Sequence, residues 1–343
     1  WKGNSVEIPT DCPQRDERLG WTGDAQVFAR TATYLTDAAS FFTKWIQDME
    51  DSQLAHGAIP SVAPVIETVN KSDGGPAWSD AFVIVPWTIW QHYGDMRVLT
   101  KHYVAMCRYM DYLVSRSKDL IRLLPDEREL SKVQQDWQLG GYGDWLAQDG
   151  SSDKRGFAPR DLLGTAFLAY DAQLMSQIAT VLGKSDEAKK FIKLFEDTRT
   201  AFINRFISPD GLLTGQQQTG YVLALHFNLI SEDQCPAIIA ALIKDIEARK
   251  LHMSTGFVGT PYICQVLTDA GQLRQFGARR GIGQLVLAAG TYPLELTAFE
   301  YNTGEALELF AAAGSHVSFN SSFRLLGDTA NGGLQVKSQA FGG

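Results

Sequence analysis

The chain has 343 residues, 45% of them hydrophobic and 20% charged, enough for a sizeable core in one large domain or two ordinary ones. Its formal net charge of −8, with no basic stripe, argues against nucleic acid and anionic membrane as partners. No apolar run is long enough to span a bilayer, and Cys12, Cys107, Cys235 and Cys264 are too scattered for a metal cluster.

The first stretch with chemistry in it is the run from Asp11 to Asp24. It holds four acids (Asp11, Asp16, Glu17 and Asp24), two arginines (Arg15 and Arg18) and Trp21, with almost nothing to fill a core. Pro13, Gly20 and Gly23 argue against one helix, so the segment reads as an ordered loop ending where a helix begins. As a plain surface feature it would be a solvated charged loop whose Asp24 caps the helix. As a site it has more to offer. Clustered acids raise one another's pKa, and interleaved arginines hold some ionised while another keeps its proton. A tryptophan among carboxylates suits the apolar face of a sugar ring, and split protonation of two acids is what glycoside hydrolysis requires.

Apolar spacing then predicts helices over 26–49, 80–93 and 97–117, with Pro86 kinking the second or delaying its start. Further helices are expected over 161–182, 185–206 (with Ser185 as N-cap), 220–228, 232–250 and 260–269. Sustained alternation with hairpin turns is absent, so strands should be few. Helices joined by alternately short and long loops suggest antiparallel pairs laid around a ring. Cys107 and Cys264 fall in apolar helical patterns and are expected to be buried free thiols.

Three loops interrupt this pattern. In Gly74-Gly-Pro-Ala-Trp-Ser-Asp80, Asp80 reads as a helix cap and Trp78 as a hydrophobic staple. Gly143-Asp-Trp-Leu146 presents Asp144 as loop-fixing residue or sugar ligand and Trp145 as a pocket wall. Thr255 to Tyr262 reads as a tight turn into a helix, with an architectural role. The six histidines form no metal-type or nucleophile-type constellation, and His92 and His102 read as surface or capping groups. Neither a Gly-x-Ser-x-Gly elbow nor a phosphate loop is present, and no cofactor is called for.

The run Asp11-Cys-Pro-Gln-Arg-Asp-Glu-Arg-Leu-Gly-Trp-Thr-Gly-Asp24-Ala-Gln resembles the signature of the bacterial α-L-rhamnosidases of glycoside hydrolase family 78. The match is long, ungapped and rich in rare residues. The resemblance implies an all-α fold, an (α/α)6 barrel with its first helix truncated. The barrel would occupy 1–326, with 327–343 left as a tail. It also implies that Glu17 is the general acid and that Asp11, Arg15, Trp21 and Asp24 contact L-rhamnose. Trp78 and Trp145 would line the pocket, and Asp144 belongs to a family-like motif. Relatives of this kind carry flanking β-sandwich domains that are not found here. The chain opens at Trp1, as a fragment would, and localisation is not readable from it.

From about Gln272 the resemblance thins. Tyr292-Pro-Leu-Glu295 stands where the family has Tyr-Pro-Ser-Trp, Thr297-Ala-Phe-Glu300 where it has Thr-Ile-Trp-Glu, and Ser318-Phe-Asn-Ser321 where it has Ser-Phe-Asn-His. Spacing makes Glu300 the best match to the general base, with Glu295, Glu305 and Glu308 as rivals. Divergence and a compensated reading-frame error both account for the altered text. The expectation is an inverting exo-glycosidase removing terminal α-L-rhamnose, with Glu17 as acid, Glu300 as base and no metal. The alternatives are a non-catalytic sugar-binding toroid and, against the acid-rich loop, a polysaccharide lyase.

Overall fold

The computed structural model describes residues 1–14, 16–66, 74–122, 141–152 and 154–271, together with the strand backbones 310–311 and 324–325. The chain divides into two compact units, Trp1–Phe276 and Gly277–Gly343. Among the described residues of the second, β3 (Phe310–Ala311) pairs antiparallel with β4 (Arg324–Leu325).

The first unit is helical. After a 3-10 turn (Lys2–Asn4) come α1 (Thr22–Leu35), α2 (Ala39–Asp51), α3 (Ala81–Tyr93) and α4 (Met96–Ser115). A two-residue antiparallel pair, β1 (Ser117–Lys118) and β2 (Ile121–Arg122), leads on to α5 (Arg160–Val181) and α6 (Ser185–Phe206). Then follow α7 (Gln218–His226), α8 (Cys235–Ala248) and α9 (Thr260–Asp269).

Two kinds of helix alternate. In α5 nearly every residue from Leu162 to Ala169 is buried, and in α3 the run Ala81–Trp87 is buried without a break. A helix apolar on all sides belongs inside. By contrast α6 buries one stripe, Phe191, Phe195, Thr198, Phe202 and Phe206, and α8 buries Ile238, Leu242 and Ile246. Such single stripes suit an outer helix. Packing agrees: α1, α3, α5, α7 and α9 each lie against the next, while α6 lies on α5 and α8 on α7. The described residues therefore supply packed helix pairs α3–α4, α5–α6 and α7–α8, with α1 and α2 both against α3 and α9 against α7.

Several local expectations are corrected. The helix expected over 26–49 is two helices, because Thr36 is extended and the Asp37 carboxylate accepts from Ala39 N at 3.2 Å. Such a side-chain bond competes with helix continuation. Asp24 lies inside the first turn of α1, and Trp21 occupies its N-cap position. Ser185 is the first helical residue rather than the cap, which is Lys184. Pro86 sits within α3, and the helix runs through it. His102 is fully buried, with Nδ1 2.5 Å from Glu50 Oε2, so it is neither a surface nor a capping group. Cys264 is exposed and Cys107 half-buried; both are free thiols.

Candidate active site

The acidic loop is closed on itself before it meets anything else. Asp11 N donates to Leu19 O at 3.0 Å, and Leu19 N returns a bond to Asp11 Oδ1 at 2.9 Å. Arg18 takes a left-handed backbone (φ 53°) and reaches Pro13 O through Nε. The exit of the loop is pinned to 61–63: Thr22 N donates to Ser61 O at 2.8 Å and Ala63 N to Gly20 O at 2.9 Å. This fixes the start of α1, and with it Trp21 and Asp24.

The turn brings the acids together. Ligand-type atoms of Asp11, Cys12 and Glu17 lie within 4.8 Å of one another. They are the group of described residues close enough to share a metal ion, though exposed acids cluster in this way without one. Glu17 is half-buried, and its Oε1 accepts from the indole Nε1 of Trp21 at 3.1 Å. The acid pushed upward is Asp24, to about 6, by burial first and then by the negative charges of Asp11 and Glu17.

A wall of aromatic rings stands beside the acids. Tyr142 meets Trp21 edge-on at 5.5 Å, Trp78 at 4.5 Å and Trp145 at 6.4 Å, so one tyrosine touches all three tryptophans. Phe257 stacks on the other side of the cluster against Trp78 at 5.3 Å. Trp78 is only 4% exposed, whereas Trp21 and Trp145 are half-buried. Trp78 is thus packed into the wall rather than standing out as a platform. Gly23 makes room for it: a Cβ there would lie 2.7 Å from the indole ring.

Asp144 is engaged by the protein. Its Oδ2 accepts from Gly256 N at 2.7 Å and from the Thr219 hydroxyl; its Oδ1 accepts from Val258 N at 2.8 Å and Gly259 N at 3.2 Å. It is 1% exposed, and burial pushes its pKa up against the pull of these four donors. The carboxylate ties the 144–147 turn to the 255–259 turn, and Phe257 N completes the joint by donating to Trp145 O at 2.7 Å. Both carboxylate oxygens of Asp144 are thus engaged by protein donors.

Every group so far enters from the N-terminal end of an inner helix. Trp21 and Asp24 begin α1, Trp78 precedes α3, the 142–145 turn precedes α5, Thr219 begins α7, and Phe257 precedes α9. Arg15 and Glu300, together with the rivals Glu295, Glu305 and Glu308, lie outside the described residues. Sequence reasoning missed Tyr142 and Phe257. An aromatic flanked by two glycines was the available signal for Tyr142. For Phe257, the glycine-rich turn looked like architecture alone.

Comparison with known proteins shows the family of the chain. Residues 1–276 match the family model described as the bacterial alpha-L-rhamnosidase six-hairpin glycosidase domain. An alpha-L-rhamnosidase of Streptomyces avermitilis is 39% identical over 294 residues, 86% of this chain and 26% of that protein. One from Formosa agariphila is 35% identical over 274 residues, 79% of this chain and 28% of that protein. The chain therefore spans about a quarter of the length of the curated relatives it matches. Among solved structures, the S. avermitilis enzyme complexed with L-rhamnose superposes with a TM-score of 0.70, covering 80% of this chain and 24% of that one. That of Aspergillus terreus also gives 0.70, at 30% identity, over 80% of this chain and 31% of that one.

Proposed function

The chain belongs to the bacterial α-L-rhamnosidase six-hairpin glycosidase family, and on that premise we propose that it forms the catalytic part of an inverting exo-glycosidase acting on terminal α-L-rhamnosides. The observation that carries this reading is the placement of Glu17. Its carboxyl is held by the Trp21 indole, beside Asp11 and Asp24, at the foot of an aromatic wall.

In this reading Glu17 gives a proton to the glycosidic oxygen while Glu300 takes one from a water attacking C1 on the opposite face. Inversion needs room for that water, so the two carboxyls would stand about 6.5–9.5 Å apart. Asp11, Arg15 and Asp24 bind sugar hydroxyls. Trp21 and Trp145 present partly open rings to the apolar edge of the sugar, and Tyr142 and Trp78 back them. Asp144 holds the two turns that carry Trp145 and Phe257, so its part is to shape the pocket. L-Rhamnose carries a methyl group where most hexoses carry a hydroxymethyl. An apolar wall favours it by about 1–3 kcal/mol.

Proton NMR of the first-formed sugar from an aryl α-L-rhamnoside tests the proposal. β-L-Rhamnose appearing first, before mutarotation, is the expected result. α-L-Rhamnose appearing first would overturn the inverting mechanism, and L-rhamnose binding without any turnover would leave a sugar-binding toroid.

A further inference from the structure

Behind Trp78 lies a group of charged side chains that the reaction does not use. Asp80 has no exposed surface. It stands at the N-cap position of α3, yet its side chain makes no capping bond to that helix. The carboxylate turns back instead. Its Oδ2 accepts from Ala77 N at 2.5 Å, and its Oδ1 accepts from the Tyr109 hydroxyl of α4 at 2.7 Å. Arg122 of β2 brings Nη1 to 3.6 Å from the same Oδ1 and is itself 7% exposed. Arg122 reaches this position across Gly164 of α5, where a Cβ would lie 3.1 Å from its Cδ. The Arg122 backbone is held by the Thr165 hydroxyl at 3.1 Å. Asp171, also on α5 and fully buried, is the fourth member. Burial, and then the Asp80 charge beside it, pushes its pKa well above its ordinary value.

Four charged or polar groups from four elements are thus gathered in a dry interior, where each unpaired charge is costly. One of them, Asp80, also reaches the residue before Trp78. Ala77 is in a left-handed conformation, φ 66°, which a non-glycine residue holds only when its surroundings compel it. The bond from Ala77 N to Asp80 is the compelling contact. The conformation it fixes aims Trp78 at Gly23, Tyr142 and Phe257.

We propose that Asp80, braced by Tyr109 and Arg122, is the positioning residue for Trp78, setting the aromatic wall against which the sugar is held. The effect on sugar rests on the function proposed above; the effect on Trp78 does not. The wall is preformed by a charge network buried behind it, and a displacement of an ångström there is felt by the ligand.

The test uses the full chain labelled with 5-fluorotryptophan. The Trp78 fluorine resonance is assigned by its loss in Trp78→Phe. In Asp80→Asn, which keeps the shape but removes the charge facing Arg122, the Trp78 resonance should shift. Calorimetry should show L-rhamnose binding about tenfold weaker. In the Trp78→Phe background the same change should add little, because both substitutions act through one side chain. An unmoved Trp78 resonance, or penalties that simply add, overturns the proposal and leaves Asp80 a structural buried charge. If Asp80→Asn does not fold, Tyr109→Phe removes one donor to the same oxygen and is read by the same two measurements. A wild-type chain that binds no L-rhamnose overturns the proposed function, and the fluorine shift still decides the link between Asp80 and Trp78.

Discussion

The indole N–H of Trp21 donates to Glu17 Oε1 across 3.1 Å, so the residue that starts α1 also orients the acid. The two side chains lie four residues apart, and the loop between them turns through Gly20, which is buried against Ala63. Glu17→Gln keeps that contact and removes the proton. It should lower turnover of a rhamnoside with a poor leaving group by about 10²–10⁴-fold, with L-rhamnose affinity little changed. An aryl rhamnoside with an activated leaving group should be affected much less. Equal losses on both substrates would remove Glu17 from the role of acid.

Trp21→Phe separates the hydrogen bond from the ring. It should keep the edge-on contact with Tyr142 and leave the melting temperature within a few degrees of wild type. On a rhamnoside with a poor leaving group kcat should fall, because the donor that orients the Glu17 carboxyl is lost. An unchanged kcat with only KM raised would mean the indole serves the sugar alone.

Asp24 links binding to stability. Its folded pKa of about 6 lies above the ordinary 3.8, so the folded state favours the protonated form. The stability it contributes is therefore fully present below pH 4 and is lost as the pH rises through 6. Asp24→Asn removes the buried charge. Relative to wild type, the variant should be more stable at pH 7, on the order of 2 kcal/mol, and the difference should vanish near pH 3.5. Urea unfolding at the two values measures this. In the proposed function the same variant binds L-rhamnose more weakly. A variant less stable at pH 7 would refute the burial argument.

Asp144→Asn should be costly for folding. An amide in that place can accept at one oxygen only, whereas the carboxylate accepts from Thr219 and three backbone N–H groups. Each buried donor left without an acceptor costs about 1–3 kcal/mol. A loss on the order of 3–5 kcal/mol in chemical unfolding is expected, and Thr219→Val should lose only about 1 kcal/mol. If instead Asp144→Asn is stable and merely fails to bind sugar, the residue is a ligand and the loop-fixing account is wrong.

Trp78 and Trp21 should part company on truncation. Trp78→Ala empties a buried site and should cost about 3–5 kcal/mol, while half-buried Trp21 should lose less stability and proportionately more sugar affinity. Gly23→Ala should resemble a mild form of the first, by about 1–3 kcal/mol, because its methyl meets the Trp78 ring. Melting and L-rhamnose binding measured on the same three proteins distinguish these outcomes.

What was legible in the chain was local or unusually dense. Helical periodicity placed α6 and α9 at their observed bounds, since apolar spacing and a following glycine or proline are written within a few residues. The acidic loop was legible for a different reason: its run of acids, arginines, glycines and Trp21 is too specific to arise as filler. The division between α1 and α2 was misread, because the apolar residues continue in helical step across Thr36 while a single aspartate bond at Asp37 ends one helix and starts the next.

The sequence by itself determined a mostly helical fold, the family it belongs to and the loop where its acids gather, because those depend on composition and on neighbours along the backbone. Only the tertiary structure decided what Asp144, Asp80 and Trp78 are engaged in. Asp144 meets Gly256 from 112 positions away, Asp80 meets Tyr109 across 29, and Gly23 clears a place for a ring from another helix start. A carboxylate reads the same in the sequence whether it faces a sugar or four backbone donors. Its burial and its partners exist once the inner helices are packed, and burial is what turns an acid from ligand to brace.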